Sequence, residues 1–315
     1  MKKLIIALAA ALMTAAAVSA QDLASATEAY NNGAAQLSEG NKVEALASFK
    51  EALVAAEALG AEGEELAANC KKVLPGLYLA IGKQYNNEKK FDEAAEMVAE
   101  AAKIAGEYGD EETAAEATGL LPTLQASGAL FNAENSLKAK DFAAAVEGYK
   151  KVLELDPSHA VASMRLVQAL ASSGKLDEAK EALKVAEANG KGADAAKALG
   201  QVLIGKASGA LKAKKYAEAV SFAEDAATYV PDNANAYLIA GQAASKLPNK
   251  TASAISNFEK YLEVAGNAKN AGQIAYTVGA LYQQQKNNDK ALKYYKKAES
   301  LGYAQAAEMI KALSK

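Results

Sequence analysis

The chain has 315 residues, with 35 basic side chains against 38 acidic ones, one cysteine, one histidine and no tryptophan. One cysteine excludes an internal disulfide, and one histidine beside it supplies neither a zinc site nor a serine or cysteine triad, so no metal and no cofactor is expected. Arg165 is the only arginine; without the guanidinium groups that read phosphates and bases in bidentate fashion, no nucleic-acid partner is expected.

Met1-Lys2-Lys3, an apolar run from Leu4 to Met13 and the small residues Val18-Ser19-Ala20 form the three parts of a secretory signal peptide, residues 1–20, cut before Gln21. The apolar run is too short and too rich in alanine to span a bilayer, which takes about 20 apolar residues. The mature chain is therefore expected to be exported and to keep no integral membrane segment. A periplasmic location is expected, with an extracellular one or a peripheral association with the outer membrane as alternatives. Without Lys2 and Lys3 the balance is 33 bases to 38 acids, a net charge of −5.

Beyond the leader, apolar residues recur at helical spacing, as in Ala145, Val146, Tyr149, Val152 and Leu153, and the alternation of half-buried strands is nearly absent. The breaks are short turns such as Ser38-Glu39-Gly40-Asn41, Ser172-Ser173-Gly174-Lys175 and Lys286-Asn287-Asn288-Asp289. The fold class is all-α.

One alanine recurs within this pattern: Ala45, Ala94, Ala145, Ala179, Ala219, Ala254 and Ala291. Phe49, Val98, Tyr149, Leu183, Phe258 and Tyr295 each stand four residues after one of them. Successive alanines are 49, 51, 34, 40, 35 and 37 residues apart. The two long spacers contain Leu74-Pro75-Gly76-Leu77 and Leu121-Pro122-Thr123-Leu124, which predicts helices extended by several turns with the prolines kinking or restarting them. Acids open the second helix of each pair (Glu44, Asp92-Glu93, Asp177-Glu178, Glu218, Asp289) and lysines close the first (Lys89-Lys90, Lys138-Lys140, Lys214-Lys215, Lys286). That arrangement suits the helix dipoles and makes no active site. Cys70, in a helical pattern, is expected to be a buried small hydrophobe, and His159, after Asp156-Pro157-Ser158, a solvated turn residue.

These segments resemble tetratricopeptide (TPR) repeats, helix-turn-helix units of about 34 residues. The clearest copies are Tyr276–Tyr282 followed by Lys290–Ala298, and Asp141-Phe142-Ala143 through Leu155-Asp156-Pro157. The resemblance implies a right-handed α-solenoid of about seven repeats with a C-terminal capping helix, Gln305 to Leu313. Residues 22–125 would be the units with extended helices, and 126–315 the more regular array. A small residue in helix A (Gly33, Gly82, Ala133, Val167, Ala207, Gly241, Gly279) would pack on the recurrent alanine of helix B. A second small site (Ala52, Ala101, Ala186, Ala226, Ala298, with Val152 and Tyr261 as departures) would meet the next repeat.

The family also lines its groove with one turn of helix A. On this chain that row is Tyr30, Leu79, Leu130, Met164, Ile204, Leu238 and Tyr276, followed four residues later by Ala34, Lys83, Glu134, Gln168, Ser208, Gln242 and Ala280. The lysine and asparagine pattern that grips chaperone tails is missing. The apolar row is either a contact stripe for a protein or peptide partner or core packing between neighbouring helices. The expected function is a non-catalytic interaction scaffold of the cell envelope. The alternative is a periplasmic chaperone or carrier holding many clients in an apolar groove.

Overall fold

The computed structural model describes residues 23–314; the expected leader lies outside the described residues. Fifteen α-helices and no strand occur among them. The chain divides into two compact units, Met1–Asn132 and Ala133–Lys315.

The first unit contains α1 (Leu23–Ser38), α2 (Lys42–Ala58), α3 (Glu64–Asn87), α4 (Phe91–Tyr108) and the larger part of α5 (Glu111–Lys138), with one 3-10 turn at Gly60–Glu62. Helices α1 and α2 pair, α2 packs on α3, and α3 pairs with α4. Ala45 and Ala94 are fully buried at the two pair contacts. Opposite them, a Cβ on Gly33 would stand 3.1 Å from the Phe49 ring, and one on Gly82 would stand 2.5 Å from Val98 Cγ2. The helices therefore approach as closely as a missing side chain permits.

The two long spacers are long helices: α3 has 24 residues and α5 has 28. Neither proline restarts a helix, because Pro75 and Pro122 both lie inside one. A proline inside a helix costs about 3 kcal/mol through its missing N–H. At Pro75 the burial of Leu74, Leu77 and Tyr78, roughly 1.5–3 kcal/mol for each fully buried aliphatic side chain, offsets that cost. Cys70 is fully buried, as expected, and burial pushes its thiol up to about 11.

The second unit holds the end of α5, then α6 (Phe142–Leu155), α7 (Ala160–Ser173), α8 (Leu176–Ala188), α9 (Gly192–Lys212), α10 (Tyr216–Tyr229), α11 (Ala234–Ala244), α12 (Thr251–Val264), α13 (Ala271–Gln284), α14 (Asn288–Ser300) and the cap α15 (Ala306–Leu313). Each helix from α6 onward packs on its successor. The recurrent alanines Ala145, Ala179, Ala219, Ala254 and Ala291 are all fully buried, and so are Val152, Ala186, Ala226 and Ala298 at the contacts with the following repeat. The 40-residue spacing is explained by α9, whose 21 residues add more than a turn.

The turns from helix A to helix B share one geometry. Gly40, Lys89, Lys140, Gly174, Lys214, Asn249 and Lys286 all have positive φ, and all but Asn249 are followed by a backbone N–H that bonds five residues back, as Asp141 does to Ser136. This is the Schellman closure of a helix, normally built on glycine. The lysines expected only as partners of the helix dipole thus also occupy the left-handed position. His159 departs from its expected role: it is the N-cap of α7, where its Nδ1 accepts the Ala162 N–H at 3.2 Å. Its ring is half-buried rather than solvated, because the first turn of α7 needs that acceptor.

Candidate functional site: the outer face of the A helices

In the second unit α9 packs between α7 and α11, so these three A helices lie side by side. Their outward positions are read at i, i+3 and i+7: Val161, Met164 and Gln168 on α7; Gln201, Ile204 and Ser208 on α9; Asn235, Leu238 and Gln242 on α11. Met164, Ile204 and Leu238 are half-buried, forming a shallow apolar band, while Val161, Gln201, Asn235 and Gln242 are exposed. Gly205 and Gly209 leave the middle of α9 open, since a Cβ on either meets nothing within 4 Å. Between them α7 and α11 hold one charged residue, Arg165.

Arg165 is held from two sides. Its Nη1 donates to Gln168 Oε1 at 2.8 Å, and its Nε lies 3.2 Å from Glu134 Oε1. The Nε–H is not directed at that oxygen, so Nε is buried without a hydrogen-bond partner among the described residues. Tyr149 donates its hydroxyl to the same Glu134 oxygen at 3.0 Å. Burial raises the Tyr149 hydroxyl pKa far above its ordinary value, and the hydrogen bond to Glu134 adds to the shift. The cluster fixes one cation at the edge of the face, on helices α7 and α11 that hold no other charge. Beside that face, where α9 meets the turn into α11, lies an open depression of about 530 Å³ lined by Lys197, Gln201, Tyr229, Pro231 and Asn235.

The other residues of the expected row are placed differently. Tyr276 packs against Tyr295 and Tyr303, with ring centroids 5.2 and 5.1 Å away, and so bridges its own helix B and the turn into the cap. In the first unit Tyr30 meets Phe49 edge-to-face at 5.2 Å, Leu79 is a core residue only 5% exposed, and Leu130 is half-buried. Of the row that follows, Lys83 bonds Glu116 at 2.5 Å and Glu134 holds Arg165, so both are already engaged. The outer row of Gln201, Asn235 and Gln273 was not singled out in the sequence, and Arg165 was noted there only as the single arginine. The signal for the amides was a polar residue three positions before Ile204, Leu238 and Tyr276.

Among the described residues no group of three or more histidine, cysteine, aspartate or glutamate side chains could hold a metal ion. None of the described helices is long and apolar enough to cross a membrane.

Paired helices, a buried small residue at every pair contact and an open outer face define a helix-turn-helix repeat protein. Residues 136–203 and residues 272–301 each match a family model described as tetratricopeptide repeat, so the chain contains tetratricopeptide repeats. Its architecture is that of a protein-interaction scaffold. Among solved structures it is similar to MamA, at 22% identity over 58% of this chain and 94% of that one, with a TM-score of 0.35. It is also similar to YrrB, described as a TPR protein with an unusual peptide-binding site, at 22% identity over 58% and 91%, with a TM-score of 0.32. A third is MamA from residue 41 onward from Desulfovibrio magneticus RS-1, at 18% identity over 57% and 97%, with a TM-score of 0.33. None of these likenesses bears on what this chain binds. No curated protein matches the chain.

Proposed function

We propose that the chain is an exported, non-catalytic scaffold that seats an extended segment of one partner protein across the outer faces of α7, α9 and α11. The observation that carries this reading is the scarcity of charge on α7 and α11, which hold only Arg165, on a face built from amides around an apolar band. Side-chain amides both donate and accept, so Gln168, Gln201, Asn235 and Gln242 can pair with the N–H and C=O groups of a peptide backbone. Met164, Ile204 and Leu238 offer apolar contacts one helix apart. Packed helices lie about 8–10 Å apart, so an extended peptide advances roughly three residues per repeat as it crosses them.

A chaperone holding many unfolded clients fits this face less well. Such a role calls for an apolar patch of several hundred Å², whereas Val161 is the one large hydrophobic residue exposed on these three helices. Export rests on the leader pattern of residues 1–20.

A photo-crosslinking amino acid placed at Gln201 or Gln242 in the native host tests the binding face, with the exposed Val185 on α8 as the control. One dominant adduct at the first two sites and none at Val185 is expected. Adducts at Val185 alone would overturn the reading, and a broad smear of adducts at Gln201 would favour the chaperone. N-terminal sequencing of the mature chain is expected to begin at Gln21, and an intact Met1 would remove the export proposal.

A further inference from the structure

The charge of the molecule is strongly divided along the chain. Residues 23–132 hold 18 acids against 8 lysines, a net −10, whereas residues 133–315 hold 25 bases against 19 acids, a net +6. Two B helices carry opposite charge: α4 holds five acids and one lysine, and α14 four lysines and two acids. On α14, Lys290, Lys293 and Lys297 are spaced three and four residues apart, which places them along one helical face, and Lys286 lies in the turn before the helix. On α4, Asp92, Glu96, Glu100 and Glu107 form a similar line, interrupted by Lys103. The lysine stripe runs about 10 Å along α14 and the acidic one about 22 Å along α4, at 1.5 Å per residue.

Helix-end electrostatics accounts for Asp92 and Lys297 but not for the rest of either stripe. Lys290 lies in the first turn of α14, where the helix dipole disfavours a cation, and Glu107 lies in the last turn of α4, where it disfavours an anion. Nor are these charges spent within the molecule. Among the described residues Lys286 and the three stripe lysines of α14 form no ion pair, and on the acidic stripe only Glu100 is paired, with Lys103 at 3.4 Å. Lys290 and Lys293 lean over the rings of Tyr282 and Tyr294, at 5.0 and 5.8 Å from their centroids, which positions the ammonium groups while leaving them exposed.

We infer that the lysine face of α14 docks on the acidic face of α4 in a second copy of this chain, so that the protein associates head to tail. The two faces differ and lie in different parts of the chain. The contact is therefore heterologous, and repetition gives open chains or closed rings rather than a symmetric dimer. Opposed fields of this kind speed encounter and fix orientation, and both effects are screened by salt. This association leaves the outer faces of α7, α9 and α11 out of the contact.

Sedimentation velocity of the full mature chain at 20 and 500 mM NaCl tests the inference. At low salt the mass is expected to rise with protein concentration above that of one chain. At high salt the association should weaken by at least tenfold. The triple variants K290E/K293E/K297E and D92K/E96K/E107K, checked for native helix content by circular dichroism, are each expected to stay monomeric at low salt. Mixed in equal amounts they restore association, because each then presents a face opposite to the other's. A monomer at both salts, association unchanged in either variant, or a mixture that stays monomeric would each overturn the proposal.

Discussion

Gly241 lies against the ring of Phe258 so closely that a Cβ built on the glycine would stand 2.5 Å from Cδ1 and 2.6 Å from Cε1. The same relation joins Gly279 to Tyr295, where the nearest ring atom would be 2.8 Å away. In these repeats the aromatic four residues after the recurrent alanine therefore fills the space that the glycine of helix A leaves vacant. Gly241→Ala forces a buried ring to move, and overpacking of this kind costs about 1–3 kcal/mol, partly offset by the ~1 kcal/mol gain in helix propensity. Gly205→Ala, in open space on α9, should keep only that gain. Thermal unfolding is expected to rank the proteins Gly205→Ala, wild type, Gly241→Ala, and the reverse order would contradict the packing account.

A second pair of substitutions reads the turns. Lys140 carries φ 62° at the position where Gly174 carries φ 92° in the next repeat. A side chain in the left-handed region costs about 1–2 kcal/mol, less the extra backbone entropy that glycine loses on folding. Lys140→Gly is therefore expected to stabilise the protein by roughly 0.5–1 kcal/mol, and Gly174→Ala to destabilise it by a similar amount. Urea titration with unchanged m-values would measure both. A destabilised Lys140→Gly would show that the lysine stem makes contacts worth more than the strain.

The cap on α7 gives a third test. The imidazole of His159 takes the Ala162 N–H that the first turn would otherwise leave without an acceptor. His159→Ala should cost about 0.5–2 kcal/mol, while His159→Asn, a stronger cap, should cost nothing or stabilise slightly. Equal losses in both variants would mean that the ring's packing, and not its acceptor, holds the helix start.

The pair architecture was legible in the sequence because close approach admits only small side chains, so Ala45 through Ala291 and Gly33 through Gly279 recur wherever two helices touch. The long α3 and α5 were legible as spacing, but the continuity of the helix through Pro75 was not. It depends on Leu74, Leu77 and Tyr78 finding a core, which no local pattern reports. Lys89, Lys140, Lys214 and Lys286 concealed their left-handed backbone for a related reason. Closure of the turn by Schellman hydrogen bonds outweighs the preference for glycine, and a lysine carries no mark of it. On the outer face, the period that placed Met164, Ile204 and Leu238 toward the surface placed Leu79 and Tyr276 as well. Whether such a residue stays half-exposed depends on its neighbours: Tyr303 covers Tyr276, whereas the outer faces of α7, α9 and α11 stay open.

Glu259 joins two tyrosines and sets the alkaline limit of the fold. Tyr282 and Tyr294 each donate a hydroxyl to its Oε1 at 2.8 Å, and their rings stack with centroids 5.7 Å apart. Burial, followed by the bond to Glu259 and its negative charge, pushes the Tyr282 hydroxyl up to about 12 and that of Tyr294 in the same direction. Tyr149 follows, through burial and Glu134. An unfolded tyrosine titrates near 10. Between about pH 10 and the folded value the native state holds protons that the unfolded state has released, so stability falls as pH rises and is fully present below that window. Tyrosinate absorbance at 295 nm is therefore expected in two stages. One fraction ionises with helix intact, and a later fraction appears together with loss of helix at 222 nm. Complete titration by about pH 10.5 with helix intact would rule out these three hydroxyls as the restraint. Glu259→Gln keeps an acceptor but removes the charge, and should move the second stage to lower pH, closer to the first.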